Sequence, residues 1–207
     1  MKTLLKSLVA TAVVAAAGAA HAVPVTLTNV TLLAPASVVF GTLHGSPYSD
    51  AAGALKVDTV EIGSFVAFCT ELDMLLPPTY PTTYDYGTYS QDGVARIMNK
   101  FLGGGYSAAA TQVAIWEAVY DTVPGDLATG DYTLNAPLAL ITEANGLLAA
   151  AGSLLVGQYD PTSLRSLHNR QYQDLVTAVP EPSTYALLLA GLTGIGFVAR
   201  RRSQDRA

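Results

Sequence analysis

The chain of 207 residues is poor in the residue types that most often carry catalysis or bind metals: it has one cysteine, one tryptophan, three histidines and only 13% charged residues. A single cysteine excludes an intrachain disulfide framework. His21 falls in the N-terminal leader described below, which leaves His44 and His168, neither at a metal-ligand spacing nor near a Gly-x-Ser-x-Gly turn. These gaps argue against a metal centre or a Ser/His hydrolase, and no cofactor is expected. Positive charge is equally scarce. Between residues 23 and 178 five basic side chains stand against fourteen acidic ones, a net charge of −9. Such a surface repels phosphate backbones, and no basic stripe with interleaved aromatics offsets it, so nucleic acid is not an expected partner. The acidic pairs Glu71/Asp73 and Asp121/Asp126 lack the run of oxygen ligands that a calcium loop needs and read as solvated loop residues.

The clearest signals lie at the two ends. Lys2 and Lys6 precede an apolar stretch at residues 8–17 and the small-residue site Ala20-His21-Ala22, the pattern of a secretory signal peptide over residues 1–22. Signal peptidase is therefore an expected partner, and the mature chain is expected to begin at Val23. At the other end, Val179-Pro180-Glu181-Pro182-Ser183-Thr184 is followed by an apolar run over residues 185–199 and then by Arg200-Arg201-Arg202. The prolines make a stiff extended lead-in, the apolar run can enter a bilayer, and the arginines stay on the cytoplasmic side. The run is short for a span and is weakened by Gly191, Gly194 and Gly196, which suits a transient anchor. This tail, residues 179–207, resembles the PEP-CTERM sorting region of Gram-negative surface proteins. The resemblance implies an exosortase-type enzyme as partner, with Pro180, Glu181 and Pro182 as the sorting motif and Arg200, Arg201 and Arg202 as the membrane stop. It also implies export, brief anchoring in the inner membrane by a short C-terminal transmembrane helix, and a final place at the cell surface or in extracellular matrix, among exopolysaccharide.

Residues 23–178 are long enough for one domain with its own core. Short β-branched and aromatic runs, Val25-Thr26-Leu27, Ser37-Val38-Val39-Phe40 and Val57-Asp58-Thr59-Val60-Glu61-Ile62, are separated by glycines and predict an antiparallel sheet up to Cys69. Residues 77–89, rich in proline and tyrosine, read as a long surface loop. From Gln91 the apolar period becomes helical: Val94, Ile97, Met98, Phe101 and Leu102 form one face before Gly103-Gly104-Gly105. A second helix is expected over residues 107–121 with Ser107 as N-cap, and a third from about Asn135 with Leu138, Ile141 and Leu148 on one face. Residues 159–176 then return to the sheet, with residues 169–176 as the last strand. The expected class is α+β: an antiparallel β-rich domain with a helical insertion over about residues 91–155.

Cys69 closes the strand-like run Phe65-Val66-Ala67-Phe68-Cys69. An unpaired thiol in an exported protein is buried as a small hydrophobe, paired with another chain, or reactive, and the residues alone leave all three open. Further along stands Thr111-Gln112-Val113-Ala114-Ile115-Trp116-Glu117, in which Ala108, Gln112, Ile115, Trp116 and Val119 share a helix face; Glu117 falls on the solvated side if this face is plain core packing. Together the two segments are similar to the thioester domains of bacterial surface adhesins, marked by a strand-end Cys and a TQxA segment followed by an apolar residue and Trp. The resemblance implies a bond from the Cys69 thiol to the Gln112 side chain, with Thr111, Ala114 and Trp116 completing the motif, and capture of an amine-bearing surface partner. Two functions follow: a non-enzymatic structural or binding protein of the surface, or a covalent adhesin.

Overall fold

A computed structural model describes residues 22–121 and 125–178. The elements run β1 (Val23–Leu32), β2 (Ser37–Leu43), β3 (Ser46–Ala52), β4 (Leu55–Thr59), β5 (Ser64–Cys69), β6 (Thr82–Thr88), α1 (Asp92–Leu102), α2 (Ala108–Tyr120), β7 (Tyr132–Asn135), α3 (Leu138–Gly152), β8 (Leu164–Asn169) and β9 (Tyr172–Ala178). Six strands close into an antiparallel barrel in the order β1-β4-β5-β9-β8-β6, and a second sheet has the order β3-β2-β7. The expected α+β class with antiparallel sheets is what the structure has, and β1 begins at the residue expected to start the mature chain.

Alternation explains the barrel. Val25 and Leu27 on β1 are buried two residues apart, Val25 stands opposite Tyr84, and Leu167 stands opposite Leu175, all of them fully buried. Tyr84 belongs to the passage expected to be a surface loop, and that expectation is corrected: residues 82–88 form β6, between β1 and β8. Pro77, Pro78 and Pro81 all precede the strand, where a missing N–H costs no ladder bond. The tyrosines alternate within it, so Tyr84 fills the barrel while its hydroxyl donates to the Gln173 carbonyl at 3.2 Å.

The helices lie where their periods put them. Ser107 caps α2, its hydroxyl accepting from Ala110 N–H at 3.2 Å, and Glu143 of α3 accepts from both the N–H and the hydroxyl of Ser107. A carboxylate there also faces the positive end of the α2 dipole. α2 touches α1, α3, β3, β5 and β7, and residues 109–118 are all buried. A helix buried around its whole circumference is a core helix, so the single expected inward face understated it. Glu117, expected toward solvent, is 1% exposed.

Three further expectations are corrected. The insertion is not purely helical, because β7 lies inside it and pairs with β2. Leu138, expected on the buried face of α3, is 77% exposed, since Pro137 caps the helix and leaves Leu138 at its open first turn. The last strand starts at Tyr172: Asn169 ends β8, and Arg170 and Gln171 make the turn of the β8–β9 hairpin, with Gln171 N–H bonded to the Asn169 side chain at 2.8 Å.

Two glycines are required in the second sheet. Gly45, with φ +76°, follows His44, with φ 50°, in the two-residue turn joining β2 to β3, where both positions need positive φ. Gly41, on the central strand β2, has no room for a side chain: a Cβ there would stand 1.8 Å from the Thr133 carbonyl oxygen and 2.8 Å from the Tyr48 ring. Gly41→Ala is therefore expected to force β7 off β2 and to cost about 1–3 kcal/mol, the usual range for overpacking. Thermal denaturation reads this as a Tm lower by several degrees; an unchanged Tm would show that the sheet does not need this close approach.

The candidate site at the end of strand β5

The chain brings Cys69 and Gln112 together. Gln112 Oε1 accepts from the Cys69 N–H at 2.9 Å, and Gln112 Nε2 donates to the Cys69 carbonyl at 2.7 Å. The cause lies in the strand ladder. Alternate residues of β5 direct their backbone groups to opposite sides, and β9 serves Phe68 and then Thr70, whose N–H reaches the Asp174 carbonyl at 3.0 Å. Cys69 therefore faces the β4 side. The β4 register places Ala67 opposite Leu55, the first residue of β4, so at Cys69 the neighbouring strand is missing. The Gln112 carboxamide, one acceptor and one donor on a rigid plane, takes the place of the absent strand residue.

Both residues are interior, Cys69 at 9% exposure and Gln112 at 1%. Burial pushes the Cys69 thiol well above the ordinary range, and the negative charges of Asp50 on β3 and Glu71 add to the effect. The side chain is a neutral thiol near neutral pH. Burial also raises the Glu71 carboxyl, opposed by the hydrogen bond it accepts from Asp174 N–H at 3.0 Å.

The other motif residues do not converge on the sulfur through hydrogen bonds. Thr111 donates within its own helix, Oγ1 to the Ser107 carbonyl at 2.9 Å. Ala114 is fully buried. The Trp116 ring lies 6.4 Å from the Tyr132 ring, and its Nε1 has no hydrogen-bond partner among the described residues. The sequence reading missed the surroundings that hold the segment after Cys69. The Tyr120 hydroxyl accepts from Leu72 N–H at 2.7 Å and lies 3.3 Å from Asp73 Oδ1, and Gln173 Nε2 donates to the Glu71 carbonyl. Tyr48 stacks on Tyr132 at 5.7 Å. Tyr48 and Asp50 stand two apart on β3 and so share one face, which is the signal that could have been read. A groove of about 310 Å³ beside this region is lined by residues including His44, Tyr48, Leu72 and Asp73.

The acidic pairs have backbone roles. Asp121 accepts from the N–H groups of Asp131 and Tyr132, Glu117 from those of Gly125 and Asp126, and Asp126 from that of Ala128. They bind the loop before β7 to α2. Among the described residues no three His, Cys, Asp or Glu side chains are placed to hold a metal ion. The sorting residues Pro180, Glu181 and Pro182, the basic cluster Arg200, Arg201 and Arg202, the C-terminal apolar run and the signal peptide lie outside the described residues. Within the described residues no helix is long and apolar enough to cross a membrane.

Residues 178–202 match the family model of the PEP-CTERM protein-sorting motif. The match begins at Ala178, the last residue of β9, so it speaks for sorting and leaves the folded domain unassigned. No curated protein and no solved structure matches the chain.

The Gln112 bracket can be tested apart from any sulfur chemistry. In a Cys69→Ala background, Gln112→Leu leaves two buried backbone groups without partners and is expected to cost about 2–4 kcal/mol. Chemical denaturation measures it, and a loss under about 0.5 kcal/mol would mean that water or a shifted neighbour replaces the carboxamide.

Proposed function

We propose that the protein is an exported, exosortase-sorted component of the cell surface or extracellular matrix whose folded domain serves a structural or binding role without turnover. The observation that carries this reading is the sorting motif at residues 178–202, which starts where the last barrel strand stops. The motif supports sorting by an exosortase-type enzyme and an extracellular destination. The domain suits that setting: it is acidic, which favours solubility among polysaccharides, and its carboxylates at Glu117, Asp121 and Asp126 are used on backbone N–H groups. Deleting residues 179–202 is expected to convert surface-retained protein into protein released in soluble form. Fractionation of cells and medium checks this, and unchanged retention would remove the motif from the explanation.

A second reading is favoured by one contact, the pairing of the Gln112 carboxamide with the Cys69 backbone. In this reading the Cys69 sulfur attacks Gln112 Cδ, the C–N bond breaks, and the amide nitrogen leaves as ammonia with the thiol proton, giving an internal thioester. An amine of a surface partner then attacks the acyl carbon, a new amide forms, and the proton from the amine returns to sulfur. The environment suits a bond that lasts. The more basic a thiolate, the more slowly it leaves, and burial beside Asp50 and Glu71 makes this one strongly basic. The same burial excludes water until an amine arrives.

Intact mass and thiol labelling separate the two readings. Under the covalent reading the protein from residue 23 onward is lighter by one ammonia and carries no free thiol. Methylamine then adds to it and releases one thiol, and both Cys69→Ala and Gln112→Ala abolish the adduct. A full mass with one thiol labelled only after unfolding leaves the non-covalent role.

A further inference from the structure

The first and last strands of the domain both meet the outside at one end of the barrel. β1 runs antiparallel to β4 with Leu27 opposite Thr59, so Val23 lies beyond Leu27 on the side of the β4–β5 turn. β9 finishes on that side too: the Thr177 hydroxyl donates to the Val66 carbonyl at 2.7 Å, and Ala178 stands opposite Leu164 of β8. The hairpin of β4 and β5 projects further. From Val66 the strand continues back to Ser64 and then to Gly63, whose carbonyl accepts from the Thr59 N–H at 3.0 Å. At the usual rise of a strand, the three residues from Val66 to Gly63 carry the turn about 10 Å past the level at which β9 ends.

The turn presents Val60 and Ile62, which are 67% and 44% exposed. Glu61 between them is tied back to the barrel, its two carboxylate oxygens accepting from the N–H and the hydroxyl of Thr26 at 2.7 and 2.9 Å. The Thr59 hydroxyl donates to the Gly63 carbonyl at 2.8 Å and accepts from the Ile62 N–H at 3.2 Å. The tip is therefore held in shape by its own backbone, with its one carboxylate occupied by β1 and its two apolar side chains outward.

We propose that this tip contacts a lipid bilayer while the precursor is anchored, with Val60 and Ile62 in the membrane interface. The proposal rests on the reading of residues 185–199 as a membrane anchor. Six residues, 179–184, join Ala178 to that run, and even fully extended they span at most about 20 Å. The projection of the tip covers about half of that distance, so the anchored chain keeps the turn within about 10 Å of the apolar layer. Two apolar side chains need little affinity of their own when a short tether sets their effective concentration at the surface. The consequence is an orientation. The barrel stands on the membrane with this end down, and Cys69, at the far end of β5, faces away from the bilayer toward any surface partner.

The test uses the precursor with its whole tail, reconstituted in phosphatidylcholine vesicles. An environment-sensitive fluorophore is attached at Ile62→Cys in a Cys69→Ala background, and at Leu75→Cys as the control. Leu75 is 81% exposed, and its carbonyl accepts from the Gln173 N–H near the start of β9, at the opposite end of the barrel. Blue-shifted emission that spin-labelled lipid quenches is expected at position 62, and water-like emission at position 75. Adding Val60→Asp is expected to abolish the quenching at 62 while the protein still floats with the vesicles. Water-like emission at 62 in protein that floats would overturn the contact and leave the anchor standing, whereas protein that does not float would overturn both. Equal quenching at the two positions would also overturn the proposal, since the domain would then have no preferred end. A blue-shifted label that spin-labelled lipid does not reach, with Ile62→Cys cross-linking between molecules, would assign the tip to a second copy instead.

Discussion

The carboxamide of Gln112 against the backbone of Cys69 is the interaction on which the arrangement of this domain turns. It is the point where a barrel strand that has lost one neighbour is completed by a helix. β5 needs a partner at Cys69 because β4 begins two positions too late to supply one, and an unpaired buried peptide group is costly. α2 supplies that partner and is thereby fixed in rotation and height against the barrel. With α2 fixed, α1 and α3 pack on it, as do β3 and β7 of the second sheet. Helix, barrel and second sheet are thus positioned by a contact in which each of two polar groups meets its complement.

The same contact sets the chemical possibilities at the cysteine. The sulfur sits where water is scarce and where Asp50 and Glu71 lie near enough to oppose a negative charge, so the thiol stays protonated and resists oxidation in an exported protein. A neutral buried thiol suits a packing role. A strongly basic thiolate as leaving group also suits a long-lived acyl bond to the adjacent glutamine. The geometry pairs the Gln112 carboxamide with the backbone of Cys69, and burial beside Asp50 and Glu71 keeps the thiol of that residue neutral.

Around this centre the acidic residues are spent on architecture. Glu143 ties α3 to the start of α2, Glu117 and Asp121 hold the loop that precedes β7, and Asp174 spans β9 and the His168 ring at 2.6 Å. Carboxylates bonded to backbone N–H groups need no counter-cation, which lets a domain with few lysines and arginines fold compactly. The tail then leaves from the end of β9, a strand that closes the barrel, so the sorting motif is attached to the fold with no linker between them.

Local periodicity and end-of-chain patterns were legible in the amino-acid order. The sorting tail, the three helices with Ser107 as cap, the early strands and the candidate pair Cys69 and Gln112 could all be read there, because each depends on neighbouring residues or on residue type. The closed barrel, the β7 strand inside the helical region, the strand around Tyr84 and the burial of Glu117 could not. Alternation in Thr82–Thr88 is visible only once β1 and β8 are known to flank it, and proline and glycine nearby masked it. Glu117 reads as a surface residue until the loop bearing Gly125 and Asp126 folds over it. That Cys69 and Gln112 touch is likewise a tertiary fact: sequence fixes which face of a helix a glutamine occupies, but the partner across the interface depends on strand register, which only the closed barrel and the short reach of β4 determine.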